Sequence, residues 1–407
     1  FPNLTQEKYC KIGRSMTTLE TTIPSCTPMK DETLAPIYEK VVAGIPLSLE
    51  DGLQLYETKD LWSVCALAHT VRTSLHGNDA FFNINRHVNY SNVCALSCKF
   101  CDFYRKKGDE GAYEHSIEDI ENEAKMAIES GATEMHIVGG LHPWLPFEYY
   151  TNMLSTIKKL APMIHIKAFT AVEIVHLARI SKRGRDGIAG ISSVISELVE
   201  HGLGSLPGGG AEVFDERVHD EAYKGKISGE QWLDVHRVAH ELGLNSNATM
   251  LYGHIETRAE RIAHMITIRE EQAKCLASES SGKFQAFIPL PFIPGVSELS
   301  PLPGPSGIEN LRTIAIARLM LHNVPHIKAF WIMQTLHMAQ HMLQCGADDI
   351  DGTVMWYDIT KVESSTTTQE QSITDLCRAI RDAGFTPVER DTLYRTVERD
   401  GKVWSVR

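Results

Sequence analysis

Residues 81–101 read Phe81-Phe82-Asn83-Ile84-Asn85-Arg86-His87, then Val88-Asn89-Tyr90-Ser91-Asn92-Val93, then Cys94-Ala95-Leu96-Ser97-Cys98-Lys99-Phe100-Cys101. The first segment predicts a β-strand over Phe81–His87, and the loop behind it places three cysteines at a C-x3-C-x2-C spacing. Thiolates spaced in this way can grip three corners of a cubane iron–sulfur cluster, which would need a fourth thiolate to be saturated. An iron without a protein ligand keeps a coordination position open, as in catalytic rather than structural metal sites. Two other readings compete: zinc held by the three cysteines with His87 or His115, and a redox pair made of Cys98 and Cys101. Structural zinc ligands more often come as two separated pairs, and a redox pair is expected to open a helix without a third cysteine just upstream.

Working outward, short β-rich runs alternate with helical patterns beyond residue 80, as repeated βα units around a parallel sheet do. Eight strands are expected: Phe81–His87, Glu134–Val138, His165–Phe169, Leu203–Leu206, Asn247–Leu251, Phe284–Ile288, Ile327–Ile332 and Thr353–Trp356. Between them, Ser116 with Asp119 forms a capping-box pattern, Ile117, Ile120, Ala124 and Ile128 share one helical face, and Gly131 suits the stop. Ser228 with Gln231 opens another helix, whose face is Trp232, Val235, Ala239 and Leu242 before Gly243. The expected fold is α/β, a TIM-type (β/α)8 barrel over residues 80–364, with a helical lead-in at 29–79 and a small closing element at 365–407. Residues 1–28, rich in Ser and Thr and without hydrophobic periodicity, read as a poorly ordered extension. In a barrel of this type the chemistry sits on the loops after the strands.

The bulk properties narrow the partners. A net charge of −12 argues against a nucleic-acid phosphate backbone as partner, which calls for clustered Lys and Arg. No apolar run approaches the roughly 18 residues of a membrane span. Nine cysteines, unevenly spread, do not suggest a secreted disulfide framework, so a reducing, cytoplasmic setting is expected. Cys10, Cys26, Cys65, Cys275, Cys345 and Cys377 read as small apolar residues.

The C-x3-C-x-aromatic-C pattern, with Phe100 as the aromatic, resembles the signature of the radical S-adenosylmethionine (SAM) superfamily. Further segments resemble its aminofutalosine (aminodeoxyfutalosine) synthase family: Gly108–Tyr113, His136–Pro143, Lys167–Ile174, Ser205–Glu212 and Thr249–His254. The resemblance runs from about Met29 to the end. It implies a 4Fe-4S cluster on Cys94, Cys98 and Cys101, with SAM on the open iron and a 5'-deoxyadenosyl radical formed by reductive cleavage. It further implies addition of that radical to 3-[(1-carboxyvinyl)oxy]benzoate, aryl migration, loss of bicarbonate or CO2 and release of methionine, giving aminofutalosine for menaquinone biosynthesis. Flavodoxin or ferredoxin would supply the low-potential electron. Dehypoxanthine futalosine cyclase and FO synthase-type enzymes share the cysteine loop and are the neighbouring alternatives.

By the same resemblance Gly139 and Gly140 match the glycine segment that meets the methionine end of SAM, a reading preferred to a simple tight turn. Glu173, past the third strand, is a candidate to accept hydrogen bonds from SAM, or else a helix N-terminal charge. His142, Tyr252 and His254 lie at strand ends, as does Glu212, and are candidates to orient substrate or move a proton. The run Gly208–Gly210 is either a close-packed turn or a ligand contact. A dianionic substrate calls for cationic partners, and Arg86, Arg105, Arg179 and Lys167 are the candidates.

Overall fold

The computed structural model describes residues 30–354 and 369–407, apart from positions 279 and 296. The extension at 1–28, Met29, and the second half of the expected strand Thr353–Trp356, Met355 and Trp356, lie outside the described residues. Three helices, Ala35–Val42, Leu49–Glu57 and Leu61–His76, form the lead-in. The strands are β1 Asp79–Asn83, β2 Asn85–Val88, β3 Glu134–Ile137, β4 His165–Ala168, β5 Leu203–Leu206, β6 Asn245–Tyr252, β7 Phe284–Pro291, β8 His326–Ile327, β9 Asp349–Gly352, β10 Thr386–Glu389, β11 Val397–Asp400 and β12 Val403–Val406.

Strands β2 to β8 form one parallel sheet in sequence order. This curled seven-stranded half-barrel, wrapped by helices, realises the expected barrel. Its two ends are spanned by β9, which pairs in parallel with β1 and meets β8 at Lys328 and Asp349. The amide of Ala329 donates to Asp349 O (2.8 Å), that of Asp348 to Ile327 O (3.0 Å), and that of His87 to Val354 O (3.0 Å).

Three strand expectations change. Phe81–His87 breaks at Ile84, and its first half joins β9 and β10 in a separate three-stranded sheet. Ile327–Ile332 shortens to β8, because the chain turns after Phe330 into the helical turn Trp331–Gln334. The last strand, expected from Thr353, is instead β9, Asp349–Gly352, which ends just before that residue.

Both capping boxes form as expected. Ser116 accepts from Asp119 N at the start of helix Ile117–Ser130, and Gly131 closes it with φ +71°. Ser228 and Gln231 do the same for helix Gly229–Glu241. Along these faces Ile120, Ala124, Trp232, Val235 and Ala239 are buried, whereas Ile128 and Leu242 are exposed and Ala127 takes the inward place. A 3.6-residue period drifts off a face over two turns, so the last member of each pattern falls at its rim. The buried Leu and Ile side chains of these helices each contribute about 1.5–3 kcal/mol against the sheet.

The end of the chain seals the lower mouth of the barrel. Thr392 Oγ1 donates to Glu134 Oε2 (2.8 Å), Gln285 Nε2 to Thr392 O (2.8 Å), and Arg390 Nε to Asp349 Oδ2 (2.6 Å). Helix Ile373–Asp382, β10 and the hairpin β11–β12 make up this segment.

Candidate active site at the cysteine end of the barrel

Beyond β2 the cysteine loop is held by backbone pairing on both sides. Cys94 N donates to Arg105 O (3.0 Å), Ala95 N to Leu141 O (2.9 Å), Lys99 N to Ala222 O (2.8 Å) and Cys101 N to Cys98 O (3.0 Å). Lys106 Nζ gathers the carbonyls of Cys94 (3.0 Å) and Leu96 (2.8 Å). Asn92 binds both Tyr113 N (2.9 Å) and Gly111 O (2.8 Å), so the Gly108–Tyr113 segment folds back on the loop.

All three cysteines are free thiols on the wall of one cavity of about 310 Å³. Burial pushes the Cys98 thiol up to about 11, against the opposing charge of Lys226. Burial also raises Cys101, while the amides of Tyr104 and Phe103 pull the other way. Leu141 N donates to Cys94 Sγ (3.4 Å). Among the described residues, neither His87 nor His115 is part of this wall, and no fourth cysteine is. Three thiols on one wall, two of them backed by amide donors, without His87 or His115 beside them among the described residues, fit a cluster with one open corner better than zinc.

The remaining segments singled out from the sequence converge on the same cavity: Gly139 and Gly140, Thr170 and Glu173, Gly209, Gly210 and Glu212, Thr249 and Leu251. A side chain on Gly139 would strike the Tyr90 ring at 2.7 Å, and one on Gly140 would strike Val93 O at 2.4 Å. The glycines are therefore required by close packing against the cysteine loop, and they also thin the cavity wall. Gly208, at φ +81°, packs its α-carbon on Asn247 O with no room for Cβ, so this run is a close-packed turn that also meets the cavity.

Glu173 combines the two roles offered for it. It is the N3 residue of the capping box of helix Ala171–Ile180, and its carboxylate lies against the cavity. Four donors already serve it: Tyr90 Oη (2.8 Å) and Gly139 N (3.0 Å) on Oε1, Thr170 N (2.8 Å) and Thr170 Oγ1 (2.7 Å) on Oε2. Burial lifts this carboxyl to about 7 against those hydrogen bonds. It ties the glycine turn, Tyr90 and the helix start together.

His142, Tyr252 and His254, expected at the barrel mouth, do not line the cavity. His142 Nε2 pairs with Glu114 (2.8 Å), and Nδ1 accepts from Leu145 N (3.0 Å) and Trp144 N (3.3 Å). Tyr252 Oη donates to Asn310 Oδ1 (2.7 Å) and accepts from Gln334 Nε2 (3.0 Å). His254 Nε2 lies against Leu251 O (3.1 Å) and Glu256 (3.3 Å). Of the four cations considered, Arg86 pairs with Glu123, Arg105 binds the carbonyls of Asp102 and Tyr104, and Arg179 is exposed on its helix. Lys167 alone of the four lines the cavity.

Sequence reasoning missed Lys226, Lys328, His136 and Asp351 on this wall. Lys328 directly follows β8, so the strand-end rule would have found it had β8 been ended correctly. Lys226, paired with Glu212 and lying over the Phe100 ring at 5.2 Å, sits in a loop with no distinguishing pattern.

Comparison with known proteins agrees with this geometry. Residues 88–267 match the family described as the Radical SAM superfamily, and residues 281–402 match the CofH/MqnC C-terminal region. The fold is similar to that of methylornithine synthase, with a TM-score of 0.68 at 17% identity, covering 86% of this chain and 97% of that one. The chain is 36% identical to the 5-amino-6-(D-ribitylamino)uracil–L-tyrosine 4-hydroxyphenyl transferase of Methanopyrus kandleri, over 83% of this chain and 90% of the relative. It is 42% identical over 380 residues to the aminodeoxyfutalosine synthase of Thermus thermophilus, covering 92% of this chain and 98% of the relative. Through this match along nearly the whole of both proteins, the chain belongs to the radical SAM superfamily and, within it, to the aminodeoxyfutalosine synthase family.

Proposed function

We propose that this enzyme joins the adenosyl part of SAM to 3-[(1-carboxyvinyl)oxy]benzoate, with loss of a carboxyl as bicarbonate or CO2 and release of methionine, forming aminodeoxyfutalosine for menaquinone biosynthesis. The observation that carries the reading is the 42% identity to an aminodeoxyfutalosine synthase along nearly the full length of both chains. When bound, the 4Fe-4S cluster supplies the electron that cleaves SAM at a carbon–sulfur bond.

The residues divide the remaining work. Cys94, Cys98 and Cys101, on one wall of the cavity, would hold the cluster at three of its irons and leave the fourth open to SAM. Gly139 and Gly140 present a thin wall on which the methionine end of SAM can lie. Glu173 holds that wall in place through Gly139 N and Tyr90. Leu251, Ile288, Leu290, Phe330 and Met333 line the cavity with apolar surface, which keeps water and hydrogen donors from a reactive carbon. Flavodoxin or ferredoxin delivers the electron, and the enzyme works in the cytoplasm. No described helix is long and apolar enough to cross a membrane.

Anaerobic incubation with SAM, dithionite and the enolpyruvyl benzoate, followed by mass spectrometry, tests the reading. Aminodeoxyfutalosine and methionine in equal amounts are expected. Formation of 5'-deoxyadenosine alone, with the benzoate unconsumed, would overturn it.

A further inference from the structure

The cavity runs from the cysteines into the barrel interior, where the strand register sets His87, His136, Lys167 and Ser205 side by side on β2 to β5. The interior of a parallel barrel is ordinarily filled with layers of branched aliphatic residues. Here the cavity-facing positions at this depth are His136, Lys167, Lys328 and Asp351.

Both lysines are almost wholly buried, Lys167 at 3% exposure and Lys328 at 1%. Lys167 Nζ lies 2.6 Å from Glu134 Oε1, and Lys328 Nζ lies 3.3 Å from Asp351 Oδ2. Buried ion pairs of this kind rarely stabilise a fold more than apolar residues of the same volume would, so their presence calls for another reason. An ammonium carries three donors, and each lysine has one carboxylate partner among the described residues. The remaining donors belong to groups on the cavity wall. Each carboxylate is itself fixed from behind, Glu134 by Thr392 Oγ1 (2.8 Å) and Asp351 by Asn85 Nδ2 (3.2 Å). The two cations are therefore held in place before any ligand arrives, which lowers the cost of binding.

The apolar stretch formed by Leu251, Ile288, Leu290 and Phe330 shares the cavity with these lysines and with the cysteines. A flat aryl group suits that stretch, with an anionic substituent on the ring meeting the lysines. The third cavity lysine, Lys226, is committed to Glu212 and to the Phe100 ring of the cysteine loop. We infer that Lys167 and Lys328 bind the ring carboxylate of the substrate, which fixes how deeply the aryl group enters and so where its vinyl carbon stands relative to SAM. This assignment rests on the proposed function, because it takes the substrate to be an aryl carboxylate.

The test measures binding to the cluster-loaded, unreduced enzyme by calorimetry, using two probes: 3-[(1-carboxyvinyl)oxy]benzoate and 2-phenoxyacrylate, which lacks the ring carboxylate. Replacing a lysine alone strands a buried carboxylate, so the variants are the neutralised pairs K167M/E134Q and K328M/D351N, with iron content as the control for folding. Wild-type enzyme is expected to prefer the benzoate by at least about tenfold. In both variants that preference collapses, because affinity for the benzoate falls while affinity for 2-phenoxyacrylate holds. Variants that keep the wild-type preference, or lose both probes alike, overturn the assignment while leaving the proposed function intact. Wild-type enzyme that neither binds nor converts the benzoate overturns the proposed function itself.

Discussion

Two of the buried charge networks among the described residues are built from similar residues and put to different use. The one inside the barrel, Lys167 with Glu134 and Lys328 with Asp351, opens on the cavity. The other lies where helices Leu61–His76 and Gly307–Met320 meet β8 and the residue before β9, and it is closed. There Asp348 Oδ1 accepts from Arg318 and from Ile327 N (2.8 Å), while Oδ2 pairs with His326 Nδ1 (2.6 Å). Arg318 also reaches Gly346 O (2.9 Å) and Pro325 O (3.0 Å), and His76 Nε2 donates to Pro325 O (2.8 Å). His326 is stacked between His76 and Tyr394, at 4.8 and 3.6 Å. His76, His326 and Asp348 stand close enough together to suggest a metal site, yet their bonding is filled from within and Arg318 already neutralises the carboxylate. What separates a bolt from a binding site is thus the number of donors left unfilled and their access to space, rather than the charges themselves.

The largest expected effect tests the closed network. Arg318→Met leaves the Asp348 carboxylate buried without its cation, and chemical denaturation should show a loss of about 3–5 kcal/mol. Affinity for the benzoate should stay as in wild type. An affinity loss without a stability loss would erase the distinction between the two networks. Next in size, Glu173→Ala leaves Tyr90, Gly139 and Thr170 without their acceptor, and should cost about 2 kcal/mol in the same measurement. Glu173→Gln, which retains one acceptor oxygen, should recover part of it.

A pH titration sharpens the comparison further. Burial holds the His76 imidazole down at about 3, outweighing the attraction of Asp348, with His326 and Arg318 adding repulsion. Its unfolded form takes up a proton near 6.5, so the contribution of His76 to stability is complete above that value and is lost as the pH falls from 6.5 towards 3. The expected slope is about 1 kcal/mol per pH unit, and His76→Gln should flatten it. Smallest of all, Tyr252→Phe removes two hydrogen bonds outside the cavity and should lower stability by about 1 kcal/mol while turnover persists.

Much of this arrangement was legible because it is encoded locally. Cysteine spacing, the capping boxes at Ser116 and Ser228, and the apolar cores of β3 to β7 each depend on residues a few positions apart. Strand β9 escaped detection because Asp348-Asp349-Ile350-Asp351 reads as a polar loop. The carboxylates of Asp348, Asp349 and Asp351 are in fact buried against Arg318, Arg390 and Lys328, whose positions no local pattern announces. His142, Tyr252 and His254 stand outside the cavity lining for a geometric reason: lying near a strand end does not fix which way a side chain points. Thr249 and Leu251 face the cavity, so the alternation of a strand turns Tyr252 outward toward Asn310. Glu173 lies on the cavity wall, and only the structure shows that four donors already hold its carboxylate.

The account stands on three cysteines that share a wall with no fourth cysteine beside them among the described residues. Anaerobic reconstitution, with iron, sulfide and zinc analysis and electron paramagnetic resonance of the reduced protein, addresses it directly. About four irons and four sulfides per chain are expected, absent when Cys94, Cys98 and Cys101 are replaced by alanine, with a spectrum that changes when SAM is added. One zinc per chain without sulfide, or a cluster spectrum indifferent to SAM, would contradict it.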